Sequence, residues 1–483
     1  MTEGRNFIGG VWRETGKTYR RENPAKPEET VGIYPLSGEE EAREAFAAAK
    51  AAFPLWRAAS LPERAQVLKK AARILEGRLE EVAKDIAREV GKPLFEARAE
   101  VKRAVEILDY YAAYAYEPLG YLVASARPKT ELRARRIPLG VVALITPWNF
   151  PIAIPTWKLA PALLLGNTVV LKPASLGPVG AVHLVRALEE AGLPEGVVNL
   201  VIGPGAPFGK ALGKAEGLRA VSFTGSAEVG WRLKADLAGL PVRVQLELGG
   251  KNAYVVWKDA HLALAAQQTA QGAFFYAGQK CTATSRVLIH KQVYEEFKAL
   301  LLEAISSLRL GDPLDESVQV GPLIDKSARD NTARWVDRGI RNGGRLLVGG
   351  KPGEGPGYFY LPTVFEGVAL ESELAQEEVF GPVVTLHPVA SLEEAVKAVN
   401  ATRYGLSTSI ATRDLGVAER FLAEVEAGLV HVNQPTAGVE YQAPFGGTKG
   451  SGYGQKEQAW AALEFYGDWK TMVVTLPEVK DGD

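Results

Sequence analysis

Apolar positions repeat at helical spacing in three stretches near the start of the chain, then collect into short β-branched runs from Val141 onward. After a brief strand-like opening, Ser37-Gly38-Glu39-Glu40 forms a capping-box pattern that predicts a helix running to about Trp56. Ser60-Leu61-Pro62-Glu63 starts a second helix, which the breaker Gly91-Lys92-Pro93 ends. A third spans about Leu94 to Tyr116. Between Gly120 and Ile137 the helical period is lost in an extended, Arg-rich segment that reads as a protruding hairpin.

Continuous apolar runs at Val141–Ile145, Thr168–Leu171, Val197–Ile202, Ala220–Phe223 and Val242–Leu246 alternate with helix-length stretches. Such runs are expected of parallel strands buried on both faces. A second series follows Gly249-Gly250. Its strands fall near Ala253–Trp257, Arg286–His290, Arg345–Val348, Val383–His387, Ser407–Ala411 and Leu429–Val432. Its helices fall near Leu262–Tyr276, Gln292–Ser307, Ser327–Asn342, Leu392–Asn400 and Gly416–Glu426. The expected fold is α/β, with two open Rossmann-like units joined near Gly249. Lys470–Leu476 alternates as an exposed strand does.

Composition narrows the function classes. The 483 residues are 47% hydrophobic and 23% charged, ordinary for globular protein. A formal net charge of -1 offers no basic excess for phosphate backbones, so no nucleic-acid partner is expected. The start, Met1-Thr2-Glu3-Gly4-Arg5, lacks a signal-peptide pattern. The most apolar stretches fall short of the ~18–20 residues that a membrane span needs. A cytoplasmic protein without membrane partners is expected. Cys281 is the single cysteine, which rules out an intramolecular disulfide and leaves no cysteine-built metal site to expect.

Cys281 stands in Gly278-Gln279-Lys280-Cys281-Thr282-Ala283. A lone cysteine is more often a small buried hydrophobe. Here the flanking glycine and lysine suggest a flexible, electropositive setting that would favour a nucleophilic thiolate. The five histidines are isolated and make poor bases for it. A carboxylate is the better candidate. Glu247 ends an apolar strand before Gly249-Gly250, either facing solvent or held in semi-apolar surroundings that raise its pKa. Asn149, in Thr146-Pro147-Trp148-Asn149-Phe150-Pro151, could donate to an oxyanion, or be a turn residue between prolines.

Three further segments could hold a nucleotide. Gly203-Pro204-Gly205 with Gly209 has one residue too many for the usual dinucleotide fingerprint. Thr224-Gly225-Ser226 with Gly230 opens a helix directly after a strand, so its free N–H groups could meet a pyrophosphate, though an ordinary capped turn looks the same. Lys172, in Leu171-Lys172-Pro173, could reach a ribose or simply face water.

Together, Trp148-Asn149-Phe150-Pro151, Leu171-Lys172-Pro173, Phe223-Thr224-Gly225-Ser226, Glu247-Leu248-Gly249-Gly250-Lys251, Gly278-Gln279-Lys280-Cys281, Glu378-Val379-Phe380-Gly381-Pro382 and Pro444-Phe445-Gly446-Gly447 resemble the ordered signature of the NAD(P)-dependent aldehyde dehydrogenase superfamily. The resemblance covers essentially the whole chain. It implies Cys281 as nucleophile, Glu247 as general base and Asn149 as oxyanion donor. For NAD or NADP it implies Lys172 at the adenine ribose, and Gly225, Ser226 and Gly230 under the pyrophosphate. Glu378 would hold the nicotinamide ribose, with Phe380 near the ring, and Thr146, Pro147, Trp148, Ser175, Gly205 and Leu248 complete the cofactor set. Phe150, Ile154, Trp157, Gln279 and Thr282 would surround the aldehyde.

The resemblance also implies a nucleotide-binding domain of residues 1–119 and 138–248 and a catalytic domain of 249–445. Residues 120–137 and 464–483 would form a β arm that pairs subunits into a homodimer or homotetramer. Glu247 separates the chain from CoA-acylating members, which lack that base. Many NAD-preferring members carry Glu where Ser175 stands, so acceptance of NADP is expected. Succinic-semialdehyde enzymes often place Arg at the position of Trp157, which argues against that substrate. Ile152-Ala153-Ile154-Pro155 and Asn433-Gln434-Pro435-Thr436-Ala437-Gly438-Val439 are most similar to the 2-oxoglutarate-semialdehyde branch, with a broad-range aldehyde enzyme as the alternative. A nicotinamide-independent thiol acyl-transferase or hydrolase would leave the glycine-serine helix start and Glu378 without a role. A non-catalytic scaffold would not need both Cys281 and Glu247.

Overall fold

The computed structural model describes residues 2–117, 119–438 and 440–476. The arm expected at residues 477–483, and Val439 of the 433–439 segment, lie outside them. Two large sheets organise the chain. The first has eight strands, in the order Gly452–Tyr453, Arg243–Glu247, Leu218–Thr224, Val141–Thr146, Thr168–Pro173, Val198–Leu200, Asn6–Ile8 and Val11–Arg13. Its five central strands are parallel, and antiparallel strands close both edges. Every residue of Thr168–Pro173 is buried, as a strand covered by helices on both faces requires.

The second sheet has seven strands, in the order Arg345–Val348, Thr363–Glu366, Val383–Val389, Thr284–His290, Asn252–Val256, Ser407–Ala411 and Leu429–Val432. All neighbours are parallel except the first pair. Thr363–Glu366 was not expected, because four residues between loops give no readable period. The chain passes straight from Arg243–Glu247 in the first sheet to Asn252–Val256 in the second. The carboxyl ends of the first sheet's strands therefore meet the amino ends of the second's. That seam is where an open α/β sheet places ligands.

The early helices follow their patterns with one break. The segment expected as a single helix from Ser60 is two, Leu61–Gly77 and Leu79–Val90. Gly77 stands at the joint, the residue least able to hold helical backbone apart from proline. Gly91 then ends the second with φ 71°. The third helix covers Leu94–Ala113 and tightens into a 3-10 turn over Tyr114–Tyr116.

The Arg-rich segment is a hairpin of Gly120–Val123 and Thr130–Pro138, and Gly467–Thr475 pairs along the full length of the longer strand. This ribbon exposes Tyr121, Leu122, Val123, Val473 and Val474. Tyr121 stacks on Trp469 at 5.5 Å, and the Arg136 guanidinium lies 4.5 Å from the Trp469 ring. Among the described residues, no helix is long and apolar enough to cross a membrane.

Candidate active site

Cys281 lies in the turn between the helix Leu262–Phe274 and the strand Thr284–His290. The helix stops short of Tyr276 because Tyr276, Ala277 and Gly278 are all left-handed, with φ 57°, 51° and 67°. Such backbone costs about 1–3 kcal/mol at each non-glycine residue and needs surrounding structure to hold it. Tyr276 is fully buried and its hydroxyl donates to the Val90 carbonyl at 3.3 Å. A Cβ on Gly278 would lie 2.6 Å from the Gly381 carbonyl, so the loop carrying Phe380 packs directly on this turn.

Two asparagines fix the turn. Asn149 Nδ2 donates to the Gln279 carbonyl at 3.1 Å. Asn252 Nδ2 donates at 2.8 Å to both the Cys281 and the Ala283 carbonyls. Asn252 escaped the sequence reading, although an Asn opening the apolar strand Asn-Ala-Tyr-Val-Val was a signal.

The electropositive setting expected for Cys281 is not present. Lys280 Nζ is 2.5 Å from Glu96 Oε1 in an ion pair. Burial, followed by the nearby charges of Glu378 and Glu247, pushes the Cys281 thiol up to about 12, against the pull of backbone N–H groups. The resting residue is a thiol.

Glu247 is buried at the end of its strand, and its Oε2 accepts from Gly447 N at 3.3 Å. Burial and the charge of Glu457 lift its carboxyl well above the usual range, opposed by Lys456 and Lys158. A Cβ on Gly446 would lie 2.2 Å from Glu247 Oε1, so the Phe445-Gly446-Gly447 backbone closes over the carboxylate. On the other side, Lys158 forms a buried ion pair with Glu457 and donates to Ser222 Oγ at 2.7 Å.

Glu378 Oε1 accepts from Gly250 N at 3.2 Å, and burial raises its carboxyl to about 7. Phe380, itself left-handed, meets Trp148 edge-on at 5.7 Å. Lys172 is buried with its Nζ on the Pro173 carbonyl at 3.0 Å, and burial lowers its pKa to about 8. Ser175 turns its hydroxyl to the Gly203 carbonyl at 2.7 Å. Gly205 opens the helix Gly205–Leu212, exposed. Ser226 caps Ala227–Leu237 without a side-chain bond, and Gly230 lets that helix rest on Leu248, whose Cδ2 would lie 2.6 Å from a Cβ there.

This stretch fits a dinucleotide on its own observations. The Thr146 and Thr224 hydroxyls, at the carboxyl ends of adjacent strands, are buried without a protein partner. Ser226 keeps its hydroxyl and helix N-terminus open, and Pro147 and Trp148 are half-buried alongside.

Beside Cys281 a cavity of about 440 Å³ is lined by Phe150, Ile154, Trp157 and Thr282, with Phe445 5.4 Å from the Trp157 ring. Gln279 does not line it. Its side chain is fully buried, accepting from Ile324 N at 2.8 Å and donating to the Tyr276 and Pro322 carbonyls. The left-handed turn aims it away from the cavity. Sequence reasoning missed the opposite wall, Glu96, Ala99, Glu100 and Arg103, one face of the helix Leu94–Ala113.

The model of the aldehyde dehydrogenase family matches residues 12–472. The chain is 44% identical to the alpha-ketoglutaric semialdehyde dehydrogenase of Bacillus subtilis, covering 97% of each chain. It is 43% identical to the 2,5-dioxopentanoate dehydrogenase of Saccharolobus solfataricus, over 95% of this chain and 96% of that one. The crystal structure of an NAD-dependent aldehyde dehydrogenase from Sinorhizobium meliloti superposes with a TM-score of 0.96 at 34% identity, covering 100% of this chain and 96% of the other. The chain belongs to the aldehyde dehydrogenase family, and it is an NAD(P)-dependent oxidoreductase.

Proposed function

We propose that the enzyme oxidises 2-oxoglutarate semialdehyde to the dicarboxylic acid through a covalent bond to Cys281. The observation that carries the chemistry is the convergence of Cys281, Asn149 and Glu247 on the seam between the sheets. Asn149 is tied to the turn that holds Cys281, and the charge of Glu247 is felt by the thiol itself. Cys281 sulfur, once deprotonated, adds to the aldehyde carbon. One Asn149 N–H is spent on the Gln279 carbonyl, and the other is the donor for the alkoxide that forms.

Oxidised nicotinamide, when bound, supplies the hydride acceptor and a positive charge beside the sulfur. Glu378 and Phe380 are placed to hold its ribose and ring, and Lys172 and Ser226 the adenosine and pyrophosphate. Loss of hydride leaves a thioester on Cys281. Glu247 takes a proton from water, whose oxygen attacks the thioester carbon and releases the acid and the thiol. A carboxyl with a raised pKa is the stronger base for that step.

The substrate reading is supported by the printed activities of the two relatives, both semialdehyde dehydrogenases. Acceptance of NADP is supported by Ser175, which puts no carboxylate against a 2′-phosphate. We further propose a cytoplasmic homo-oligomer joined through the exposed apolar ribbon. The proposed division is a nucleotide domain of 1–119 and 138–248, a catalytic domain of 249–445 and an arm of 120–137 and 464–483. The substrate test is an aldehyde panel with each cofactor. A highest kcat/KM for 2-oxoglutarate semialdehyde supports the reading, and a preference for uncharged aldehydes overturns it.

A further inference from the structure

The cavity beside Cys281 has four charged side chains in its wall: Glu96, Glu100, Arg103 and Lys280. Three are accounted for by tight local bonds. Glu96 pairs with Lys280. Glu100 forms a buried ion pair with Lys92, and its Oε1 also accepts from Ile152 N at 3.0 Å and Ala153 N at 3.1 Å. These interactions balance the two carboxylates, and Arg103 adds a positive charge to the wall.

Arg103 differs from Lys280 in its surroundings. Its side chain is 32% exposed, its nearest printed carboxylate oxygen, on Glu106, is 3.8 Å from Nε, and its guanidinium lies 5.5 Å from the Tyr441 ring. It also lines a second, outer cavity of about 580 Å³ with His431, Gln434, Gly438 and Tyr441. Arg103 therefore stands where the inner cavity opens to the outer one. A linear substrate with its aldehyde carbon at Cys281 would bring its far end to this junction.

We infer that Arg103 is the specificity-determining residue that receives the carboxylate of the substrate's far end. This rests on the proposed substrate reading and names the residue behind it. A planar guanidinium can bind a carboxylate through two parallel N–H bonds, which a Lys or an apolar side chain cannot reproduce. Trp157, at the position where some relatives of the fold carry a cation, then needs no charge, because the charge comes from the opposite wall.

The test compares wild type, Arg103→Leu, Arg103→Lys and Lys280→Met as full-length holoenzymes, on 2-oxoglutarate semialdehyde and on pentanal. Arg103→Leu is expected to lose about 100-fold in kcat/KM for the carboxylated aldehyde, mostly in KM, while pentanal is unchanged or improved. Arg103→Lys should recover part of the loss, and Lys280→Met should not discriminate between the aldehydes. Equal losses on both aldehydes in Arg103→Leu, or discrimination that follows Lys280 instead, would overturn the assignment. A wild type that favours pentanal would overturn the substrate reading itself, a result distinct from either.

Discussion

Asn149 Nδ2 donates to the main-chain carbonyl of Gln279 at 3.1 Å, tying the end of a first-sheet strand to the turn that carries Cys281. Catalysis in this fold depends on two sheets being held in register, and this bond is one of the struts. Asn252 supplies another, from the second sheet, through its paired bonds to the Cys281 and Ala283 carbonyls.

The two asparagines should separate on mutation. Asn149→Ala is expected to lower kcat by about 10²–10³, as loss of an oxyanion donor does, with cofactor affinity unchanged. Asn252→Ala leaves two carbonyls without their donor and should cost about 1–3 kcal/mol of stability. Steady-state kinetics and thermal melting measure the two effects. A stable Asn252→Ala protein, or full kcat in Asn149→Ala, would contradict these roles.

Activity should rise with pH. Glu247 accepts a proton only when ionised, and burial with the Glu457 charge raises its pKa, so the acid limb of kcat lies above the ordinary Glu value of about 4.3. Lys158 is one of the cations that opposes this rise. Lys158→Met should therefore move the limb to higher pH. Initial NAD(P)H burst rates, which report on attack by Cys281, should not follow that shift.

Two glycines offer a geometric test. A Cβ at residue 249 would lie 2.0 Å from Glu378 Oε2, so Gly249→Ala should displace Glu378 and weaken NAD(P) binding. Gly446 has φ 151° and faces Glu247 Oε1, so Gly446→Ala should depress turnover while leaving cofactor affinity intact. Fluorescence titration with cofactor beside steady-state assays distinguishes the pair.

Much of this architecture was legible because buried parallel strands write themselves as apolar runs, and Thr168–Pro173 is buried throughout. Cys281, Glu247 and Asn149 stood out by scarcity and by position at strand ends. The directions of Gln279 and Lys280 did not. Both flank the nucleophile, yet a left-handed turn sends one into backbone hydrogen bonds and the other to Glu96, and no local pattern encodes that turn. Arg103 was hidden for a different reason. Its helix meets Cys281 only through tertiary packing, across more than half the first sheet's sequence.

Cofactor choice should respond to charge at the adenosine end. Ser175→Glu is expected to cut kcat/KM for NADP while sparing NAD, because a carboxylate there repels a 2′-phosphate. Lys172 is charged below its pKa of about 8 and neutral above it. Affinity for NADP should accordingly fall as pH rises past 8, more steeply than affinity for NAD. Parallel slopes for the two cofactors would remove Lys172 from the phosphate site.

The most direct measurement is mass spectrometry of the Glu247→Gln enzyme, acid-quenched after mixing with aldehyde and cofactor. Blocking hydrolysis should trap one acyl group per chain on the peptide containing Cys281, alongside one equivalent of NAD(P)H. Reduced cofactor formed with that peptide unmodified would contradict covalent catalysis by this sulfur.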